Sequence, residues 1–177
     1  NGILYLARPN KLLQLNSISL VQFKNYVQQP FRFRERITGI CGPNGVGKTN
    51  LLDAIYYLCF TKSYFARSDV QNVYNGMSGF RIEGEFQLDG QLLKAGCILR
   101  DTGRKEFTLN GDAYERFARH IGKFPCVIIA PDDVHIITGG SEERRRYIDA
   151  LISQLDAEYL QRLISYNRLL QQRNKIV

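Results

Sequence analysis

The stretch that most constrains this chain is GPNGVGKT, Gly42 to Thr49. It fits G-x-x-x-x-G-K-[ST], with Gly42, Gly47, Lys48 and Thr49 at the fixed places. Glycines let the backbone curl until successive N–H groups face one anion, and a helix starting near Lys48 adds its positive end. Such a loop works between a strand and a helix, and the sequence predicts both. Ile37 to Cys41 is a largely apolar run entering Gly42, which reads as a strand. Leu51, Ala54, Ile55, Leu58 and Cys59 fall at i, i+3, i+4, i+7 and i+8, the stripe of an amphipathic helix. In that setting the Lys48 ammonium reaches the β- and γ-phosphates of a nucleotide and the Thr49 hydroxyl ligates Mg2+. The plainer alternative is a Gly-rich turn with a solvated lysine.

Upstream, LQLNSISLVQF alternates, with Leu15, Ile18, Leu20 and Phe23 as the apolar set of an extended strand. KNYVQQP reads as a turn. FRFRERITGICG reads as a second strand, Phe31 and Phe33 alternating with Arg32 and Arg34. Downstream, three apolar runs are separated by Asp89-Gly90, Thr102-Gly103 and Asn110-Gly111. Asp-Gly and Asn-Gly supply the positive φ that tight hairpins demand, so these runs predict an antiparallel meander. FPCVIIAPDD reads as a short buried strand ending at Pro131. Ser141 is the expected cap of a helix with Glu142 and Glu143 in its first turn and Tyr147, Ile148, Leu151, Ile152 and Leu155 at helical spacing. Asp156 restarts a second helix with Leu160, Leu163, Ile164 and Leu170 inward. The expected organisation is a leader or expression remnant over 1–11, a nucleotide-binding lobe over 12–140 and the first helices of a helical lobe over 141–177. The last helix runs to Val177 without a C-cap glycine, which reads as truncation.

Composition bounds the partners. With 177 residues, 44% hydrophobic and 23% charged, the chain is ordinary globular material for one core. It contains neither a run long enough to cross a membrane nor a secretory leader. Cys41, Cys59, Cys97 and Cys126 form no C-x-x-C pair and only two histidines exist, so the cysteines read as reduced, mostly buried thiols of a cytoplasmic protein rather than zinc ligands. The net charge is +7, and the first forty residues carry Arg8, Lys11, Lys24, Arg32, Arg34 and Arg36 against Glu35 alone. Such a surplus is the footprint of a polyanion binder. Arg32, Arg34, Arg144, Arg145 and Arg146 are the candidate phosphate contacts. The bland reading stands beside this one: Arg32 and Arg34 as the wet face of a strand, and Arg144 to Arg146 paired with Glu142, Glu143 and Asp149 along a helix. Nucleotide hydrolysis also needs an acid, at the end of a second strand, to hold Mg2+. The one candidate is CVIIAPDD, where Ala130-Pro131 carries Asp132 and Asp133 past the strand end.

FKNY (23–26), GPNGVGKTNLLDAIYYL (42–58), KSYFARSD (62–69), LNGD (109–112), APDD (130–133), EERRRYIDALISQ (142–154) and YNRLLQQRN (166–174) stand in this order. Together they resemble the N-terminal half of the RecF family, bacterial recombinational-repair ATPases, over about residues 12–177. The later blocks carry the specificity, since the phosphate loop is shared with many NTPases. The resemblance implies an α/β P-loop NTPase: an ABC-ATPase-type head lobe with an antiparallel β meander, followed by the start of a helical lobe, related to Rad50 and SMC heads. It implies that Gly42, Pro43, Asn44, Gly45, Val46, Gly47, Lys48 and Thr49 hold ATP and Mg2+, with Lys24 and Asn25 in a turn beside the nucleotide. It implies a composite site between two heads in an ATP-dependent homodimer, with the signature, the metal-binding Asp and the catalytic Glu outside these residues. The whole protein would then be a slow ATPase, and this stretch alone inactive, with no catalytic residue of its own. In place of the glutamine usual after such a strand stands Asp132. The implied function is ATP-dependent binding of gapped duplex DNA and its single-strand junctions, acting with RecR and RecO to load RecA and support the SOS response. Two other readings stay open: an SMC-like or transporter ATPase head, and a binding module that uses nucleotide only as a structural ligand.

Overall fold

Leu13–Phe23 forms β2, and the breaks in its alternation have structural causes. Leu13 and Leu15 face the core on odd numbers, Ile18 and Leu20 on even ones. A register shift between Leu15 and Ser17 inserts the extra residue that swaps the parity. A second swap before Phe23 falls at Gln22, whose φ is +55°. The computed structural model describes residues 3–6 and 13–176.

Six strands form one antiparallel sheet in the order β3-β2-β4-β5-β6-β7, with β3 Tyr26–Arg32, β4 Phe80–Leu88, β5 Gln91–Leu99, β6 Lys105–Leu109 and β7 Asp112–Ala113. The meander follows its turn residues. Asp89 and Gly90 take φ of 50° and 83°, and Asn110 and Gly111 take 54° and 94°, so both hairpins close in two residues. The core-facing side of the sheet packs on α1, Lys48–Phe60. Leu51, Ala54, Ile55, Leu58 and Cys59 are all buried as the stripe predicts. Tyr57 extends the contact, its ring edge-on to Phe23 at 6.2 Å and to Phe80 at 5.5 Å. Phe86 of the sheet stacks on Phe124 at 4.0 Å between centroids.

A second, two-stranded antiparallel sheet pairs β8, Cys126–Ile129, with β1, Ile3–Leu6, which lies inside the expected leader. The helices α2 (His135–Thr138), α3 (Ser141–Leu155) and α4 (Ala157–Ile176) follow. Asp156 opens α4 as expected, its carboxylate accepting from the amides of Glu158 at 2.8 Å and Tyr159 at 3.0 Å.

Four expectations are corrected. The turn after β2 is only Lys24-Asn25, because Lys24 adopts φ +51° and closes the hairpin at once, leaving Tyr26 to Gln29 inside β3. Ile37–Cys41 is not a strand, and Ile37 is 87% exposed. A strand exists only where a neighbour takes its N–H and C=O groups, and among the described residues no strand pairs with this run, although Ile40 packs against the core. The N-cap of α3 is Gly140, in extended conformation, with Ser141 already helical and giving no side-chain cap. Ile164, expected inward, is 44% exposed, and Ile148 and Leu155, at the helical spacing noted for α3, are 48% and 73% exposed, because α3 and α4 pack on each other more than on the sheet.

Candidate functional site

The phosphate loop runs from Gly42 into the first turn of α1. Gly42, Gly45 and Gly47 all have positive φ, 150°, 82° and 107°. These angles turn the chain back on itself, and glycine adopts them without steric cost. The Leu51 amide bonds from α1 back into the loop, to Gly47 O at 2.9 Å, and the start of α1 has no side-chain cap. The loop therefore presents the uncapped first turn and positive end of a helix, the arrangement that holds a phosphate. Lys48 arches over the loop, its Nζ donating to the carbonyls of Gly42 at 2.8 Å and Pro43 at 2.7 Å. Thr49, the residue that would ligate Mg2+, is exposed. The donor set fits a nucleotide triphosphate with its cation: amides and an ammonium for the phosphates, a hydroxyl for the metal.

The β2–β3 turn clasps this loop. Asn25 Nδ2 donates to Val46 O at 3.0 Å, Tyr26 Oη to Gly47 O at 2.9 Å, and Asn50 Nδ2 to Asn25 Oδ1 at 2.8 Å. Gly47 has no room for a side chain, since an added Cβ would stand 2.6 Å from Asn25 Nδ2 and 2.8 Å from Tyr26 Oη. Lys24 turns the other way, pairing with Asp53, which is fully buried in α1. Asp53 also accepts from Ser63 Oγ and from the Tyr64 amide, each at 2.7 Å. The Tyr64 hydroxyl bonds Asp133, whose other oxygen caps the Ala130 amide at 2.6 Å. Burial, then the bond to Asp133, drives the Tyr64 pKa above its ordinary value. Asp133 is thus the cap of the turn after β8 rather than a wet loop acid, while Asp132 is exposed. The described residues contain no cluster of His, Cys, Asp and Glu able to hold a metal.

The sequence alone brought out the loop, Lys24 and Asn25, but not Tyr26, Asn50, Asp53 and Tyr64. Asp53 carried a signal: it is the one acid in a thirteen-residue helix that is otherwise largely apolar.

The candidate DNA contacts lie apart from one another in kind. Arg32 ends β3 in an open cleft with Glu85 and Lys94. Lys94 and Ser17 hold the Glu85 carboxyl below the usual range, with Arg32 adding its charge. Arg34 is exposed, beyond the last residue of β3. Arg144 Nη1 donates to Gly139 O at 2.9 Å, Arg146 pairs with Glu142, and Arg145 is exposed with no ion-pair partner among the described residues. Cys59, Cys97 and Cys126 are buried, whereas Cys41, next to Gly42, is exposed. No helix among the described residues is long and apolar enough to cross a membrane.

A family model described as the RecF/RecN/SMC N terminal domain matches residues 14–87. The DNA replication and repair protein RecF of Flavobacterium johnsoniae is 42% identical over 165 residues, 93% of this chain and 46% of that protein. RecF of Bacteroides thetaiotaomicron is 42% identical over 164 residues, 92% of this chain and 44% of that protein. The chain thus spans about half the length of the curated relatives it matches. Among solved structures, the recombination mediator protein RecF-ATPrS in the RecFOR pathway is similar at a TM-score of 0.85 and 30% identity, over 92% of this chain and 44% of that one. RecF-ATP in the same pathway gives 0.83 and 29%, over 97% of this chain and 46% of that one. An SMC ATPase structure gives 0.61 at 21% identity, over 77% of this chain and 98% of that one, a likeness of fold alone. The fold is that of a RecF and SMC-type ATPase head lobe.

Proposed function

Because this chain belongs to the RecF family and matches its N-terminal part, we propose that it is the nucleotide-holding lobe of an ATP-dependent DNA repair and replication ATPase. The observation that carries the reading is the phosphate loop. The uncapped N-terminus of α1, the Lys48 ammonium and Thr49 stand together at one helix end, on a fold shared with a protein solved as RecF-ATP. In this reading the amides and Lys48 hold the phosphates of ATP, and Thr49 holds Mg2+. Asn25 and Tyr26 fix the loop's shape by binding its carbonyls. The cation, when bound, neutralises charge developing on the phosphates. Hydrolysis is slow and belongs to the whole protein, in which two heads meet across the nucleotide. The setting is the cytoplasm, and the DNA substrate is gapped duplex and its single-strand junction, held by a basic surface with RecR and RecO as partners in loading RecA.

The test titrates the full-length protein carrying this sequence against gapped duplex DNA, with and without ATP, at two salt concentrations, beside Lys48→Ala. Tightening by ATP that the variant loses supports a nucleotide-governed DNA clamp. Affinity that is weak and indifferent to ATP would end the proposal.

A further inference from the structure

A second basic feature lies toward the other end of α1 from the phosphate loop. An open groove of about 580 Å³ runs between the Phe117–Arg119 turn and α4, lined by Arg116, Phe117, Ala118, Arg119, Gln161 and Ile164. Its wall holds two guanidiniums and an amide, and no carboxylate. Neither arginine has an ion-pair partner among the described residues. Elsewhere the pairing is extensive: Lys24 with Asp53, Lys94 with Glu85, Arg100 with Glu106, Lys105 with Asp69 and Arg162 with Glu158. That last pair matters here, because it occupies the one acid of α4, a turn before Gln161. Asp112 and Glu115, the acids nearby in sequence before Arg116, are exposed to water. Lys123, also exposed, adds positive charge close enough to bear on His120.

The turn that carries these arginines is rigidly placed. His120, fully buried, directs Nε2 to the carbonyl of Leu58 at 2.7 Å, tying the turn to the C-terminal half of α1. A carbonyl only accepts, so Nε2 carries the proton and Nδ1 accepts from the Tyr114 hydroxyl at 3.2 Å. Leu58 is ten residues beyond Lys48, about 15 Å along the helix axis, so the groove is separate from the nucleotide cradle.

We propose that the groove formed by Arg116, Arg119 and Gln161 is a binding site for the phosphate backbone of nucleic acid. Guanidinium forks match phosphate oxygens in pairs, and unpaired arginines on a concave wall meet no competing carboxylate there. The inference rests on the DNA-binding reading above, and it places a contact on residues that the runs of basic sequence did not single out.

The test measures binding of the full-length protein to fluorescently labelled gapped duplex DNA with saturating ATP, between about 50 and 200 mM salt. It compares the unaltered protein with Arg116→Gln/Arg119→Gln, Arg116→Lys/Arg119→Lys and Arg162→Gln. Loss of two phosphate contacts lowers the slope of log affinity against log salt by about 1.8. The expected result is that fall, with about tenfold weaker binding at the lower salt, in the glutamine variant only. ATP affinity and thermal midpoint stay unchanged, lysine restores most of the slope, and the already paired Arg162 is neutral. An unaltered protein that binds DNA while the glutamine variant matches it in slope and affinity would overturn the groove and spare the DNA-binding reading; a groove that serves an acidic protein segment gives that result. An unaltered protein that does not bind the DNA overturns both.

Discussion

The Lys24 ammonium is ion-paired with the carboxylate of Asp53, which is fully buried on the first half of the phosphate-loop helix. The residues that follow Lys24, Asn25 of the hairpin turn and Tyr26 at the start of β3, grip the loop carbonyls. The turn is therefore anchored to the same helix whose N-terminus it shapes. Turn and helix cannot separate without breaking the ion pair to buried Asp53.

Lys24→Met should leave Asp53 as an uncompensated buried charge and cost about 3–5 kcal/mol. Urea unfolding of the single variant measures that cost. Adding Asp53→Asn removes the charge and keeps an acceptor for the Tyr64 amide, so the double variant should recover most of the loss. Equal stability of single and double variants would show that the pair carries no such weight.

Gly47→Ala should abolish tight nucleotide binding while leaving the sheet intact. The φ of 107° is strained for alanine, and its Cβ would collide with Asn25 and Tyr26, both of them holding the loop. Titration with a fluorescent ATP analogue should show at least about a tenfold loss, equivalent to 1.4 kcal/mol. Retained affinity would mean that the clasp does not set the shape of the loop.

Gly111→Ala tests backbone conformation alone. Its φ is 94°, yet an added Cβ meets nothing within 4 Å. The expected cost is about 1–2 kcal/mol, the penalty of a left-handed L-residue, with ATP affinity unchanged. Thermal unfolding beside nucleotide titration separates the two effects.

Burial lowers the His120 pKa from the ordinary 6.5 to about 4, with Lys123 contributing and the Leu58 carbonyl opposing. The unfolded chain therefore takes up the proton first as pH falls. The stability that neutral His120 provides is complete above 6.5 and drains away down to about 4. The loss is about 3 kcal/mol. His120→Gln still has a donor for Leu58 and does not titrate, so its unfolding midpoint should decline less across that window. Parallel curves for the two proteins would exclude His120 as the source.

Much of this architecture was legible because local chemistry fixed it. Asp89-Gly90 and Asn110-Gly111 allow little but two-residue hairpins, and the Leu51 to Cys59 stripe allows little but a helix on a sheet. What escaped depends on distant partners. Ile37–Cys41 has the composition of a strand, but a strand needs neighbours that sequence pattern cannot supply. The parity changes in β2 hide a bulge inside what reads as plain alternation. At the site, the loop announced itself by spacing, whereas Tyr26, Asp53 and Tyr64 matter only through contacts across 11 to 69 positions of chain. Asp133, weighed as a metal ligand, was claimed by Tyr64 and by a backbone amide of its own turn.

The exposure of Cys41 has a practical meaning. Three of the four thiols are sealed in the core, and the fourth stands one residue ahead of Gly42. Among the cysteines of these 177 residues, Cys41 is the one exposed to a maleimide dye, which would attach at the mouth of the cradle. Within this stretch the natural sequence thus carries its own reporter position, where a change in emission or in labelling rate would register the arrival of a ligand.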